Sequence, residues 1–327
     1  MGLLIWLAAP LRAAPLDTVQ IPVTDSSQAS LQDALKQGLD TVMIRITGQR
    51  ALDGLAGVND ARGDIDRWVE SYHYDGPDSL NAHYDLDGLT RFLEVHGAPI
   101  WAMPRPTLVT WLVRQEGGRA QLITKNHPLF PALADQALER GLPLTVPKWD
   151  EQDRSALSLA DIRGRFDDRL RDASKRYPHD LIAAAVLYEG TPVRLRWRVL
   201  DATRTLEQGS VSGDNDGQAV TAMVDAITDK LAARYAVRAN DHDDRSMLVV
   251  DEVNGLSAWQ QIQRYLQDLT GMRQIQLVSV DGERYGFSLD YAASDSQLRR
   301  QLELFPHLQA CPSAQATTVQ LHYCWQP

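Results

Sequence analysis

The sequence lacks the compositional features that mark several specialised classes of protein. It contains 2 Cys, 21 Gly and 16 Pro among 327 residues, which excludes disulfide-framework, collagen-like and low-complexity proteins. Basic residues are also in the minority, because 33 Lys and Arg stand against 43 Asp and Glu, a formal net charge of -10. This excess of acidic residues argues against electrostatic binding of the chain as a whole to nucleic acid or to an anionic membrane surface.

Short catalytic and nucleotide-binding motifs are absent as well. The chain has no G-x-x-x-x-G-K-[ST], G-x-G-x-x-G, H-E-x-x-H or G-x-S-x-G sequence. The nearest approach, Gly209-Ser-Val-Ser-Gly213, has its serines at the second and fourth places instead of the central one. We therefore predict no catalytic residues and no cofactor.

No apolar run is long enough to cross a bilayer, which takes about 20 residues. Residues 3–11 are apolar and typical of the hydrophobic core of a secretory signal, and Ala13 suits a cleavage site. We therefore predict a signal peptide at 1–13 and a periplasmic location, with no transmembrane segment in the mature chain. The alternative is a buried N-terminal strand or short helix.

Cys311 and Cys324 are the only cysteines. An even pair in an oxidising compartment is a candidate disulfide, and the alternative is two buried thiols. No metal site is predicted, because two cysteines with only His307 and His322 nearby lack the usual C-x₂₋₄-C spacing.

Alternation of helical and strand periodicities predicts an α+β chain of three small units. The predicted organisation is a signal peptide at 1–13, an N-terminal α+β domain at 14–118, a middle α/β domain at 119–237, a linker at 238–245 and a C-terminal domain at 246–327. The strand at 107–114 closes the first unit in this interpretation. The last unit has the order βαββαβ of a ferredoxin-like domain.

In the middle unit a helix is predicted at 162–176, a central strand at 181–188 and a hairpin after it. The hairpin carries a candidate binding stripe, because strand alternation places Arg194, Arg196 and Arg198 on one face. Three guanidinium groups could bind a carboxylate-rich partner, a phosphate or a glycan acid. The alternative is a solvated sheet face balanced by Glu207 on the neighbouring strand.

Two further groups of polar residues lie in the first unit. The region 53–87 is rich in acidic residues. Within it, the residues from Asp85 to Gly88 match a fragment of a calcium-binding loop but lack its other acidic positions. We therefore predict a solvated acidic surface. His73, His83 and His96 lack the close spacing of zinc ligands.

Several stretches resemble the proteobacterial family known as domain of unknown function 2066. The stretches are 31–48, the sequence Arg140-Gly-Leu-Pro-Leu-Thr-Val-Pro147, and residues 175–186, 195–200, 297–304 and 321–325. The resemblance implies a secreted or periplasmic protein and carries no activity or site residues. The middle unit is also similar to TolB N-terminal and CsgG-type envelope domains, which implies an assembly or accessory module.

From these observations we expect a non-catalytic accessory or binding protein of the bacterial cell envelope. It would act by binding an envelope protein or a ligand, and not nucleic acid. The alternatives are an envelope hydrolase of a class without a short motif, and a sensor of a small ligand.

Overall fold

The computed structural model describes residues 15–101, 103–238, 245–292, 294–311 and 320–326. The predicted signal peptide lies outside the described residues, as does all but the two ends of the predicted linker. No helix in the described part of the chain is long and apolar enough to span a bilayer.

The fold is α+β and contains three sheet units, which confirms the predicted fold class. The chain forms two compact units, one containing Pro106–Thr228 and the other containing Val19–Arg105 and Asp229–Pro327. The second sheet belongs to the former unit, and the first and third sheets belong to the latter. The domain boundaries derived from the sequence stay a prediction.

The first sheet has three strands in the order β1-β3-β2. Its unit contains β1 (Thr18–Pro22), α1 (Gln28–Thr47), α2 (Val58–Gly63), β2 (Val69–Tyr74), β3 (Ser79–Tyr84) and α3 (Leu86–Val95). Alternate residues of β3 are buried, and the Tyr84 hydroxyl donates to the Leu35 carbonyl of α1 at 2.7 Å. Gly48 ends α1 in the left-handed conformation that glycine adopts most readily.

The second sheet has six strands, with β5-β4-β7-β8-β9 as its main order and β6 paired to β4. Its elements are β4 (Leu108–Glu116), β5 (Arg119–Leu122), α4 (Phe130–Glu139), β6 (Leu144–Thr145), α5 (Glu151–Ala156), α6 (Leu159–Gly164), α7 (Asp167–Ser174), β7 (Leu181–Tyr188), β8 (Val193–Leu200), β9 (Thr205–Gly213) and α8 (Asp216–Tyr235). The strand expected at the end of the first unit is β4, which instead pairs in parallel with β7.

The continuous apolar run of β7 is buried over all but its last residue, as expected for a central strand. On one face of the sheet, α6 and α7 pack through Ile162 and Leu170 against Trp111 and Ala184. These helices carry the loop that borders the candidate site.

A single helix at 162–176 was expected, and that prediction is wrong. Arg165 adopts a left-handed conformation with φ of 63°, and this residue ends α6. The chain turns at Phe166 and continues as α7. Left-handed backbone costs a residue with a β-carbon about 1–2 kcal/mol. The backbone N–H of Arg165, which is itself exposed, donates to the Asp161 carbonyl at the end of α6.

An ion pair with a buried acid links α5 to the residues that follow α7. Asp153 of α5 is fully buried, and its carboxylate lies 2.8 Å from the Arg176 guanidinium. The same carboxylate accepts hydrogen bonds from the Tyr177 hydroxyl at 2.6 Å and from the Trp149 backbone N–H at 2.7 Å. The acid is therefore fully compensated although it has no access to water.

The third sheet has the order β11-β12-β10-β14-β13. Its unit contains β10 (Arg245–Asp251), α9 (Gly255–Asp268), β11 (Met272–Asp281), β12 (Arg284–Tyr291), α10 (Asp295–Leu302), β13 (Leu308–Ala310) and β14 (Gln320–Trp325). The predicted order βαββαβ is present, with β13 added before the last strand. β13 pairs antiparallel with β14, and β14 pairs in parallel with β10.

Candidate anion-binding site

The register of the second sheet decides what surrounds the predicted arginine stripe. Across β9, the partners of Arg194, Arg196 and Arg198 are Ser212, Ser210 and Gln208. Glu207 lies opposite Val199, so it belongs to the other face of the sheet. The expected neutralisation of the stripe by Glu207 is therefore wrong, because the strand register gives the arginines neutral neighbours.

Arg198 differs from the other two arginines because it is 6% exposed. Its Nε and Nη2 lie 3.0 and 2.8 Å from Oδ1 of Asp167, and Nη2 donates to the Ile162 carbonyl at 3.2 Å. Burial lowers the pKa of Arg198, and the Asp167 carboxylate opposes that shift. Arg198 thus connects α6 and the first residue of α7 to the sheet and is not available to an external anion.

Arg194 and Arg196 are exposed on the same strand. The Arg196 guanidinium lies 6.0 Å from the centre of the Tyr188 ring, at the outer limit of a cation–π contact. Two of the three predicted stripe residues therefore present their charge to solvent.

Arg163 near the end of α6 and Arg165, which follows this helix, add two more cations to this surface. The Arg163 guanidinium donates to the Gln115 side-chain amide oxygen, and Arg165 donates to that of Gln208 at 2.9 Å. Both acceptors are neutral, so they position the guanidinium groups without cancelling their charge. Sequence analysis missed these two residues because it treated residues 162–176 as one helix.

We call Arg163, Arg165, Arg194 and Arg196 the arginine face. No ion pair joins any of the four to an Asp or Glu among the described residues. The acids nearest in sequence have other partners.

Among them, Asp167 pairs with Arg198, and the Asp168 carboxylate lies 3.0 Å from Arg171. Glu189 accepts from the Gly117 backbone N–H at 3.1 Å. An aromatic side chain also borders the arginine face: Phe166 is 57% exposed, within a cleft of about 450 Å³ formed by residues 165–169. The Arg169 guanidinium lies 5.9 Å from the Phe166 ring and 3.2 Å from Asp161.

A second cluster lies on the third sheet. His322 Nε2 is 2.7 Å from Oδ2 of Asp251, and Arg284 binds both oxygens of the same carboxylate, at 2.5 and 2.9 Å. Hydrogen bonds lower the pKa of Asp251 to about 2, and the bond from Arg284 contributes more than the bond from His322. Beside this cluster Cys311 and Cys324 form a disulfide, with their Cα atoms 5.1 Å apart.

The acidic candidates of the first unit have structural roles. Asp85, the start of the calcium-loop fragment, is the N-cap of α3 and accepts from the Gly88 N–H at 2.8 Å. His83 pairs with Glu70 at 2.8 Å. Over the described ranges, the His73, His83 and His96 side chains are not part of a metal-competent cluster.

Comparison with known proteins finds a family match for one segment of the chain. A family described as Domain of unknown function (DUF8605) matches residues 11–102, under a third of the chain. The matched segment contains the first sheet with α1 to α3. No curated protein matches.

The predicted family is therefore wrong: the match is to DUF8605 and not to domain of unknown function 2066. One stretch that suggested the latter, residues 31–48, is α1 with its terminal glycine, a pattern that many helices share. The likeness of the middle unit to TolB N-terminal and CsgG-type domains is withdrawn with it.

Among solved structures, a chain of homoserine dehydrogenase from S. aureus is 14% identical, with a TM-score of 0.15. The match covers 33% of this chain and 28% of that chain. A similarity at this level supports no inference about fold or activity.

Proposed function

We propose that this protein is a non-catalytic binding protein of the bacterial cell envelope, located in the periplasm, and that it recognises a partner with clustered carboxylate or phosphate groups. The arginine face carries the proposal. Four guanidinium groups without carboxylate partners stand on a chain whose formal net charge is -10. Arginine is the side chain best suited to such groups, since its planar fork can bond two oxygens at once.

The local geometry supports a binding role for this surface. Arg165 holds a left-handed backbone conformation, and strain of this kind concentrates at functional sites. The exposed Phe166 and the half-buried Tyr188 lie beside the cations, so a ligand could gain apolar contact as well as charge pairing.

The alternative of a hydrolase draws on the His322–Asp251 pair, because a histidine oriented by a carboxylate is a common general base. Within that cluster, however, the carboxylate is already bonded by Arg284, and the sulfur of Cys311 is in the disulfide. The cluster itself therefore offers no free nucleophile, and we keep binding as the proposed function.

The test of the arginine face uses two labelled probes, poly-L-glutamate and inorganic polyphosphate, with affinity measured by fluorescence anisotropy. We expect the double variant Arg194→Glu/Arg196→Glu to bind at least about tenfold more weakly, because a charge-assisted hydrogen bond contributes about 1.5–3 kcal/mol. The wild-type affinity should also fall as salt is added. The probe that binds more tightly identifies the anion class.

The matched control is Arg264→Glu/Arg299→Glu, which changes the net charge equally at two exposed positions on α9 and α10. Equal weakening by both double variants would show that only net charge matters and would refute the site, as would a wild-type protein that binds neither probe. The location is tested separately, by fractionating cells that express the full chain. We expect periplasmic protein whose first residue is Ala14, and a cytoplasmic protein that retains residues 1–13 would refute the location.

A further inference from the structure

Three potential metal ligands, Asp251, His322 and Cys311, meet on the third sheet, and Cys324 is bonded to one of them. Asp251 ends β10 and lies opposite Cys324 in the parallel register with β14. His322 precedes Cys324 by two residues on β14, so both side chains point to the same face. Donor atoms of Asp251, His322 and Cys311 all lie within 4.8 Å of one another, and the Cys311 sulfur is bonded to that of Cys324.

The chemistry of this set depends on the oxidation state of the sulfurs. Thiolate, imidazole and carboxylate are the ligands that Zn²⁺ accepts, and structural zinc is bound by four of them in a tetrahedron. The thiolate is the ligand, whereas a disulfide sulfur has no such charge to donate. The oxidised protein thus offers two donors, from Asp251 and His322. Reduction adds the Cys311 thiolate to them and frees the Cys324 thiol beside it.

We propose that this cluster is a zinc site opened by reduction of the Cys311–Cys324 disulfide. A dithiol reductant supplies two electrons and two protons, the S–S bond breaks to give two cysteine thiols, and the reductant leaves as a cyclic disulfide. Zn²⁺ then displaces the two thiol protons and is bound by both thiolates, the His322 imidazole and the Asp251 carboxylate.

Arg284 has a defined part in this switch. In the oxidised protein its guanidinium bonds both oxygens of Asp251 and compensates the carboxylate charge. A divalent cation at the site would compete with that guanidinium for the same oxygens. Removing Arg284 should therefore strengthen zinc binding, while removing His322 should weaken it.

Sequence reasoning argued against a metal here because the two cysteines lack the close spacing of zinc-binding pairs. In the folded protein the ligands come from distant parts of the chain. Parallel pairing of β10 with β14 brings Asp251 beside Cys324, which lies 73 positions further along the sequence. The proposal concerns residues outside the arginine face and does not depend on the proposed function.

The experiment compares zinc affinity in two forms of the full chain. One sample is kept oxidised, and the other is reduced with a dithiol that is then removed by gel filtration under anaerobic conditions. Each is titrated with Zn²⁺ against a chromophoric chelator, and Co²⁺ serves as a second probe because thiolate ligation adds a sulfur-to-metal absorption band. We expect one Zn²⁺ per reduced chain and at least about tenfold weaker binding by the oxidised chain.

Three variants test the ligand set, each checked for folding by thermal unfolding. Reduced His322→Ala should bind at least about tenfold more weakly, and Cys311→Ser/Cys324→Ser should lose the difference between the redox conditions. Reduced Arg284→Gln should bind more tightly than wild type, and an unchanged thermal unfolding transition shows that the gain does not come from thiols exposed by misfolding. Equal affinity in both redox forms, no effect of His322→Ala, or no gain with Arg284→Gln would overturn the proposal.

Discussion

Replacing Arg198 with alanine should destabilise the protein, whereas the same replacement of Arg196 should not, although the two residues are two positions apart on β8. Arg198 is buried and bonded to Asp167 and to the Ile162 carbonyl. Breaking a buried ion pair costs about 3–5 kcal/mol. The Asp167 side chain is 22% exposed and can be partly hydrated after the change, so we take about 3 kcal/mol for the loss of unfolding free energy.

The assay is urea denaturation followed by tryptophan fluorescence, since Trp111 and Trp197 are buried in the same sheet as Arg198. With a denaturant slope of about 2 kcal/mol/M, a loss of about 3 kcal/mol lowers the midpoint by about 1.5 M. Arg196→Ala is the matched control and should change the free energy of unfolding by less than about 0.5 kcal/mol.

A loss below about 1 kcal/mol for Arg198→Ala would refute the assignment of this residue to the fold. So would an equal loss for Arg196→Ala, because it would mean that exposure does not separate the two arginines. Binding measurements complete the comparison: Arg196→Ala should weaken binding of the anionic probes while leaving the unfolding transition unchanged.

Three other perturbations test the fold elsewhere. Asp153→Ala removes a fully buried carboxylate and should lower the free energy of unfolding by about 3 kcal/mol in urea, the low end of the range for buried ion pairs, because Arg176 is 22% exposed and keeps its pairing with Asp150. The pairing with Arg284 lowers the pKa of Asp251 in the folded state to about 2. The ion pair therefore contributes its full stability above the unfolded pKa of about 4. Unfolding measurements should show this contribution being lost as the pH falls from about 4 through the folded pKa. Gly38→Ala places a β-carbon 2.2 Å from the Tyr84 hydroxyl oxygen, so thermal unfolding should show a loss of about 1–3 kcal/mol despite the better helix propensity of alanine.

Each of these has a control at a matched position. Asp172 pairs with Lys175 on the surface, and Asp172→Ala should cost less than about 1 kcal/mol; a cost equal to that of Asp153→Ala would contradict the role of burial. Asp251→Asn should flatten the acid dependence, and an unchanged pH profile would exclude Asp251 as its source. Gly63→Ala meets no atom within 4 Å, so a loss as large as that of Gly38→Ala would contradict the steric argument.

Much of the local structure could be predicted because it depends on neighbours in the chain. Alternating and helical periodicities indicated an α+β chain, and the apolar run at 181–188 correctly predicted a buried central strand. The helix end at Gly48 and the turn at Asp281-Gly282 between β11 and β12 follow from the backbone freedom of glycine. In each case the residues that determine the structure lie within a few positions of one another.

The candidate sites depend on pairings between distant strands, which periodicity does not reveal. A strand pattern fixes which residues share a face, but not which neighbour they meet. The register of β8 with β9 placed Glu207 on the opposite face, and it left Arg194 and Arg196 beside neutral side chains. The break at Arg165, by contrast, had a local signal: Gly164 directly precedes it and is a poor helix former, whereas the apolar periodicity of 162–176 favoured one continuous helix.

The sequence by itself determined the class of fold, the exclusion of short catalytic motifs, and which arginines and cysteines were worth examining. Only the tertiary structure decided that Arg198 is buried in the fold while Arg194 and Arg196 face solvent. It also decided that Asp251 and His322 lie beside the disulfide. The physical reason is that secondary structure follows from local periodicity. Charge compensation and ligand geometry, by contrast, depend on which side chains long-range pairing brings within a few ångströms.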